Sequence, residues 1–159
     1  MKKKDAEWFI YILIAFAIFL AISFFIKPMV VCESSMEPNY HSGEFLIVSK
    51  QSYSLFGGEI ERGDVIVFSD DTGKYLIKRV IGLPGDGLSI QEGYIYINGE
   101  KLFEPYLLEQ GVSGDADIYI IEENKYYCCG DNRAASRDSR AFGSIDKSKV
   151  LGKVVIEFN

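Results

Sequence analysis

Hydrophobic positions along this chain follow two different patterns. From Trp8 to Ile26 the sequence reads WFIYILIAFAIFLAISFFI, with no charged residue, proline or glycine. At 1.5 Å rise per residue that stretch makes a helix of about 28 Å, close to the ~30 Å hydrocarbon core of a bilayer. In lipid the backbone of such a segment satisfies its hydrogen bonds internally only as a helix. Residues 8–26 are therefore expected to be a transmembrane helix, preceded by a short tail, residues 1–7. An apolar run behind MKKK also describes a secretory signal, with Ala21-Ile22-Ser23 as a small-x-small cleavage site. The run continues through Phe24, Phe25 and Ile26, which argues for the anchor. A lipid anchor at Cys32 is disfavoured by the preceding Val31, which is not small.

After Pro28 the pattern becomes short runs rich in β-branched and aromatic residues: MVVCE, EFLIVSK, DVIVF, YLIKRVIG, LSI, GYIYI, DIYII, YYCC and KVVIEF. Between them stand Asn39, Gly43, Gly57-Gly58, Arg62-Gly63-Asp64, Pro84-Gly85-Asp86-Gly87 and Asn98-Gly99, all turn chemistry. Asn98-Gly99 between YIYI and EKLF predicts a two-residue hairpin. A 3.6-residue period is absent beyond the first helix, apart from a short turn around Asp146 to Val150. The fold class is thus mostly β: a small antiparallel β domain, residues 28–159, preceded by one N-terminal transmembrane helix. Leu55 and Phe56, between Ser54 and Gly57-Gly58, are a candidate apolar loop for the lipid interface.

Charge adds direction. Lys2, Lys3 and Lys4 precede the helix, and the positive-inside rule keeps that end cytoplasmic, with the β domain outside a cell membrane crossed once. Residues 28–159 hold 13 Lys and Arg against 21 Asp and Glu. An acidic domain argues against nucleic acid as a partner, since phosphate binding needs a basic surface. Cys32, Cys128 and Cys129 make no disulfide framework; the neighbouring pair reads as two small buried hydrophobes, with a vicinal disulfide as the alternative. No spacing suggests a metal site, and no small-molecule cofactor is expected.

Candidate chemistry centres on a serine. A free Ser is a weak nucleophile and needs a base. The sole histidine, His41, is six residues from Ser35, and no G-x-S-x-G elbow exists, which disfavours a Ser-His-Asp triad. A lysine base must first lose its proton, which burial in apolar surroundings promotes. Lys78, within Tyr75-Leu76-Ile77-Lys78-Arg79-Val80-Ile81-Gly82, has the most apolar setting of any lysine outside the first helix. On a strand Lys78 and Arg79 point to opposite faces, so one is expected inside and the other in water. Arg79 cannot act as base, because guanidinium keeps its proton. By itself, an isolated lysine is more simply a snorkelling or ion-paired side chain.

Four segments change that balance. Ser35-Met36-Glu37-Pro38, Arg62-Gly63-Asp64-Val65-Ile66-Val67-Phe68, Lys78-Arg79-Val80-Ile81-Gly82-Leu83-Pro84-Gly85-Asp86, and Gly130-Asp131-Asn132-Arg133 with Ser136, Asp138-Ser139-Arg140 and Phe142-Gly143 follow one another in that order. Together they resemble the bacterial type I signal peptidase family, in its compact single-span form, over essentially the whole outer domain. The resemblance implies a membrane-anchored serine endopeptidase that cuts signal peptides from exported preproteins. It makes Ser35 the nucleophile and Lys78 the general base. Ser136 matches a serine that orients the lysine amine, and Asp138 and Arg140 match an ion pair that braces the region. Asp131, Asn132 and Arg133 are expected to form a hydrogen-bonded turn that fixes the geometry. The partners implied are preprotein signal peptides, with small residues one and three positions before the cut, and the lipid bilayer.

The chain departs from the family pattern at Glu33, where Gly or Ser is usual. Losing an oxyanion donor there typically costs roughly 10²–10³ in rate. An ionised Glu33 facing the reacting carbonyl would repel the developing charge; turned away, it leaves the Ser35 amide as main donor. Asn39 in place of Thr and Cys128-Cys129 in place of apolar residues are milder changes. Ser34 is expected to face the other side of a strand from Ser35. The alternative function is a catalytically impaired relative acting as a membrane assembly or chaperone factor, and a plain anchored binding or adhesion domain is a further one.

Overall fold

A computed structural model describes residues 3–50, 59–111 and 113–158. Its first element is a helix, α1 (Lys3–Phe25), whose Trp8–Phe25 segment is long and apolar enough to cross a membrane and is not buried against the rest of the chain. The helix ends one residue earlier than the apolar run suggests. Pro28 drives Lys27 into extended backbone and has no N–H to donate, so Ile26 already opens strand β1 (Ile26–Val30). β1 lies at a sheet edge, where a proline is tolerated. The strand expected over MVVCE therefore starts three residues earlier and stops at Val30. Cys32 to Ser35 are not strand, and the chain turns through Ser34–Tyr40 instead.

The remaining strands are β2 (Phe45–Ser49), β3 (Val65–Ser69), β4 (Tyr75–Gly82), β5 (Gly87–Gln91), β6 (Tyr94–Ile97), β7 (Glu100–Lys101), β8 (Ala116–Ile120), β9 (Lys125–Cys129), β10 (Ile145–Asp146) and β11 (Val150–Phe158). All but β10 overlap the expected runs and the hairpin at Asn98-Gly99, and β11 begins three residues before KVVIEF. They form a seven-stranded sheet, β1-β2-β11-β3-β4-β9-β10, and a four-stranded sheet, β7-β6-β5-β8, with antiparallel pairing throughout. The Asn98-Gly99 turn joins β6 to β7, both residues having positive φ, as such a hairpin requires. Two short elements complete the chain. A single helical turn, α2 (Ser139–Phe142), is capped by Asp138, and a 3₁₀ turn (Lys147–Lys149) is capped by Asp146. Leu55 and Phe56 lie outside the described residues.

Two apolar clusters hold the domain. Ile60, Ile66, Phe68, Val80, Tyr126, Cys128 and Ile145 pack beside the larger sheet. Ile81, Leu88, Ile90, Ile95, Ile97, Ile121, Tyr127 and Cys129 pack beside the smaller one. Each such fully buried side chain contributes roughly 1.5–3 kcal/mol of gross hydrophobic stabilisation. β4 and β9 supply residues to both clusters because their alternate side chains face opposite ways, Val80 and Cys128 one way, Ile81 and Cys129 the other. These two strands are therefore the spine of the domain, and the site is built upon them.

Candidate active site

Lys78 is on β4, paired opposite Ile66 of β3, and is 1% exposed. Its Nζ lies 2.7 Å from Ser35 Oγ and donates to the Ile77 carbonyl at 2.9 Å. Burial lowers the ammonium's pKa below that of an ordinary lysine, against the opposing pull of the Asp138 and Glu33 carboxylates and of Cys129 and Cys128. Ser35, 5% exposed, sits in the turn after β1, and Ser34 beside it is exposed. The selection of Ser35 over Ser34 therefore comes from a turn and not from strand alternation. A neutral amine at this distance can accept the Ser35 proton, which is what a serine hydroxyl needs to become a competent nucleophile.

Arg79 does not face water. It clamps Asp131 with both Nε (2.8 Å) and one terminal nitrogen (2.5 Å), donates to the Gly63 carbonyl, and lies 4.3 Å over the Tyr106 ring. Asp131 also accepts from Asn39 Nδ2 at 2.9 Å. Its neighbour Asn132 donates its backbone N–H to the Ser35 carbonyl at 3.1 Å, and Nδ2 to the Ser34 carbonyl at 3.3 Å. The two faces of β4 thus act together: Lys78 reaches the nucleophile, and Arg79 fixes the loop that holds it. Arg133 is buried and bonded to Glu104 (2.5 Å), Ser113 Oγ (2.9 Å) and the Gly130 carbonyl (3.0 Å), tying the segment before β8 to the same turn.

The third group of residues follows. Asp138 accepts from the Gly130 N–H (2.9 Å), from Arg140 Nε (2.8 Å) and from an Arg140 terminal nitrogen (2.8 Å). Burial raises its pKa, but Arg140 and the Gly130 amide outweigh this and hold the carboxyl below the usual range. Ser136 stands beside Asp138 and stabilises its charge, yet its buried Oγ makes no hydrogen bond of normal geometry to the Lys78 amine or to any other described residue. A Cβ on Gly130 would collide with both Ser136 Oγ and the Ser35 carbonyl, so only glycine leaves room for the nucleophile turn at this point.

A family model described as "Signal peptidase, peptidase S26" matches residues 5–158. The chain belongs to the signal peptidase family. It is 37% identical to a signal peptidase IB of Staphylococcus aureus (strain COL), over 99% of this chain and 91% of that one. It is 40% identical to a signal peptidase I of Bacillus licheniformis, over 95% and 88%. A crystal structure of a signal peptidase I from Enterococcus faecalis V583 superposes with a TM-score of 0.56 at 30% identity, covering 62% of this chain and 98% of that one. The reading as a relative that has lost catalysis is not favoured.

In this signal peptidase Ser35 opens onto a cleft of about 460 Å³. Phe68, Leu76, Phe142 and Ile145 supply its apolar wall, and Glu33, Lys74, Arg137 and Lys149 its charged rim. Glu33 is turned onto Lys74, with which it forms an ion pair across the rim. Cys128 and Cys129 are buried free thiols, and no vicinal disulfide joins them. Sequence reasoning missed Lys74, Glu104 and the inward role of Arg79. Each depends on a partner far along the chain (41 residues for Lys74 and Glu33), and no local pattern announces such a pairing.

Proposed function

We propose that this chain is a membrane-anchored serine endopeptidase in which Ser35 is the nucleophile and Lys78 the general base, cutting signal peptides from exported preproteins. The observation that carries the reading is the buried 2.7 Å approach of Lys78 Nζ to Ser35 Oγ. Neutral Lys78 takes the Ser35 proton as Oγ attacks the scissile carbonyl. The tetrahedral oxyanion accepts from the Ser35 backbone N–H, the donor next to the reacting carbon. Collapse expels the new N-terminus, which receives the proton from Lys78 and leaves an ester at Ser35. Lys78 then deprotonates a water, the ester is hydrolysed, and Ser35 recovers its proton. Asp138 and Arg140 support the site through the Gly130 turn, and Ser136 contributes polar lining beside the pair.

The topology belongs to the same proposal. Residues 1–7 are cytoplasmic, residues 8–26 span the membrane, and residues 28–159 form the catalytic domain outside. The three lysines before the span and the directness of the helix-to-strand junction support it. The test is cleavage of a preprotein in detergent by wild type, Ser35→Ala and Lys78→Arg, with mass spectrometry of the new N-terminus. Wild type is expected to cut after a small residue. Both variants should lose at least about 10³-fold in kcat/KM, since Arg keeps the charge but not the basicity. Retention of cutting by Ser35→Ala would remove Ser35 from the mechanism.

A further inference from the structure

The rim of the cleft carries an ion pair that no step of the mechanism uses. Glu33 lies two residues before the nucleophile and lines the cleft together with Ser35. Its carboxylate meets the ammonium of Lys74, which the β3–β4 turn delivers from the opposite wall. That turn is tightly held. Asp70 accepts from Thr72 N (2.8 Å), Thr72 Oγ1 (2.7 Å) and Lys74 N (2.9 Å), and Asp70 N donates to the Lys74 carbonyl at 2.9 Å. Lys149 secures the tip through Asp71 at 2.5 Å. Lys74 is therefore presented to Glu33 by a fixed scaffold.

Both partners are about half exposed, 57% for the Lys74 side chain and 47% for Glu33. An exposed pair adds little to folding stability, so a stability role does not account for this one. Its position does. A free carboxylate two residues from Ser35 opposes two events in the reaction: formation of an oxyanion on the substrate carbonyl, and loss of the proton from Lys78. Asp138 already presents one negative charge to Lys78 from the loop before α2, and Arg140 offsets it. Cys128 and Cys129, on the neighbouring strand β9, are neutral thiols raised by burial. Glu33 is the other acid that acts on Lys78, and Lys74 is the cation paired with it.

We propose that Lys74 is a positioning residue for catalysis: its ammonium holds the Glu33 carboxylate on the cleft rim and neutralises it, so that a glutamate is tolerated beside the nucleophile. This rests on the Ser35–Lys78 reading and deepens it. Removing Lys74 leaves Glu33 charged and unpaired. Its charge then favours protonated Lys78, so the rise of kcat/KM with pH moves to higher pH. Removing both members takes away the repulsion together with its remedy.

The experiment compares wild type, Lys74→Met, Lys74→Arg, Glu33→Gln and the double variant Glu33→Gln/Lys74→Met. The readouts are the pH profile of kcat and kcat/KM on a signal-peptide substrate, and the Lys78 titration followed by ¹³C NMR of its labelled Cε. Lys74→Met is expected to lose about tenfold in kcat/KM at neutral pH, mainly in kcat. The acid limb and the Lys78 midpoint should both move upward. Lys74→Arg should restore most of the rate, and so should the double variant. A Lys74→Met enzyme with an unmoved limb and midpoint overturns the proposal, and so does a double variant as impaired as the single one. The NMR midpoint reads the Glu33–Lys74 coupling even in a protein that cuts nothing. A failure of the protease reading, seen as no Ser35-dependent cleavage, is therefore distinguishable from a failure of this one.

Discussion

Lys78 sits where its own chemistry makes the fold less stable. A lysine with pKa near 10.4 in the unfolded chain must enter an apolar site in which the charged form is disfavoured. Because the folded value lies below the unfolded one, the native state binds fewer protons between the two values. The destabilisation is therefore fully present below the folded pKa, and is relieved as pH rises through that window. Lys78→Met, of similar length and apolar, is expected to abolish cleavage and to raise Tm by a few degrees at pH 6. The gain should shrink towards zero near pH 10, which thermal scans at the two pH values will measure. In the wild type the same shift is expected to make kcat/KM climb with pH as Lys78, the proposed base, loses its proton. Asp138 has the opposite sign. Its depressed pKa supports the fold above the unfolded value near 3.9, and that support is lost as pH falls through the lower folded one.

At the scale of elements, the loop Gly130–Asp138 is the junction of the molecule. Asp131 takes β4 through Arg79, Asn132 takes the nucleophile turn, Asp138 takes Arg140 of α2, and Arg133 takes Glu104 from the segment after β7. Arg133→Met is expected to leave Glu104 buried and unpaired. It should cost about 3–5 kcal/mol, read as a fall in the denaturation midpoint. Strand positions were legible in the sequence because short β-branched and aromatic runs such as Val65–Phe68 and Tyr94–Ile97, bounded by turn residues, are a local signal. Ser35, Lys78 and the loop were legible because they stand in recognisable short segments. The partners were not. Arg79 could not be told from a solvent-facing strand residue, since alternation says which face it takes and not what covers that face. The division into two sheets was likewise hidden, because it depends on β4 pairing with the distant β9, which leaves β5 to β8 as a sheet of their own. The orientation of Glu33 stayed open for the same reason: its cation comes from another hairpin.

For the whole molecule, the decisive feature is the junction between the apolar helix and the domain. α1 ends at Phe25 and β1 begins at Ile26, with no residue between them. Lys50 at the end of β2 doubles back on the helix, donating its backbone N–H to the Phe25 carbonyl at 2.8 Å and its Nζ to the Ser23 carbonyl at 2.7 Å. Inserting a flexible Gly/Ser tetrapeptide between Phe25 and Ile26 is expected to lower processing of a preprotein reconstituted in vesicles several-fold, while cleavage of a short soluble peptide stays as it was. Equal rates on both substrates would show that the junction has no such role. In the proposed topology, a strand that grows directly out of the membrane helix works as a fixed-length stilt. It would set the altitude of Ser35 above the lipid by the reach of one five-residue strand and the turn that follows it. A bond would then be chosen as much by its height over the bilayer as by the side chains around it, and the enzyme would be in effect a gauge planted in the surface from which its substrates emerge.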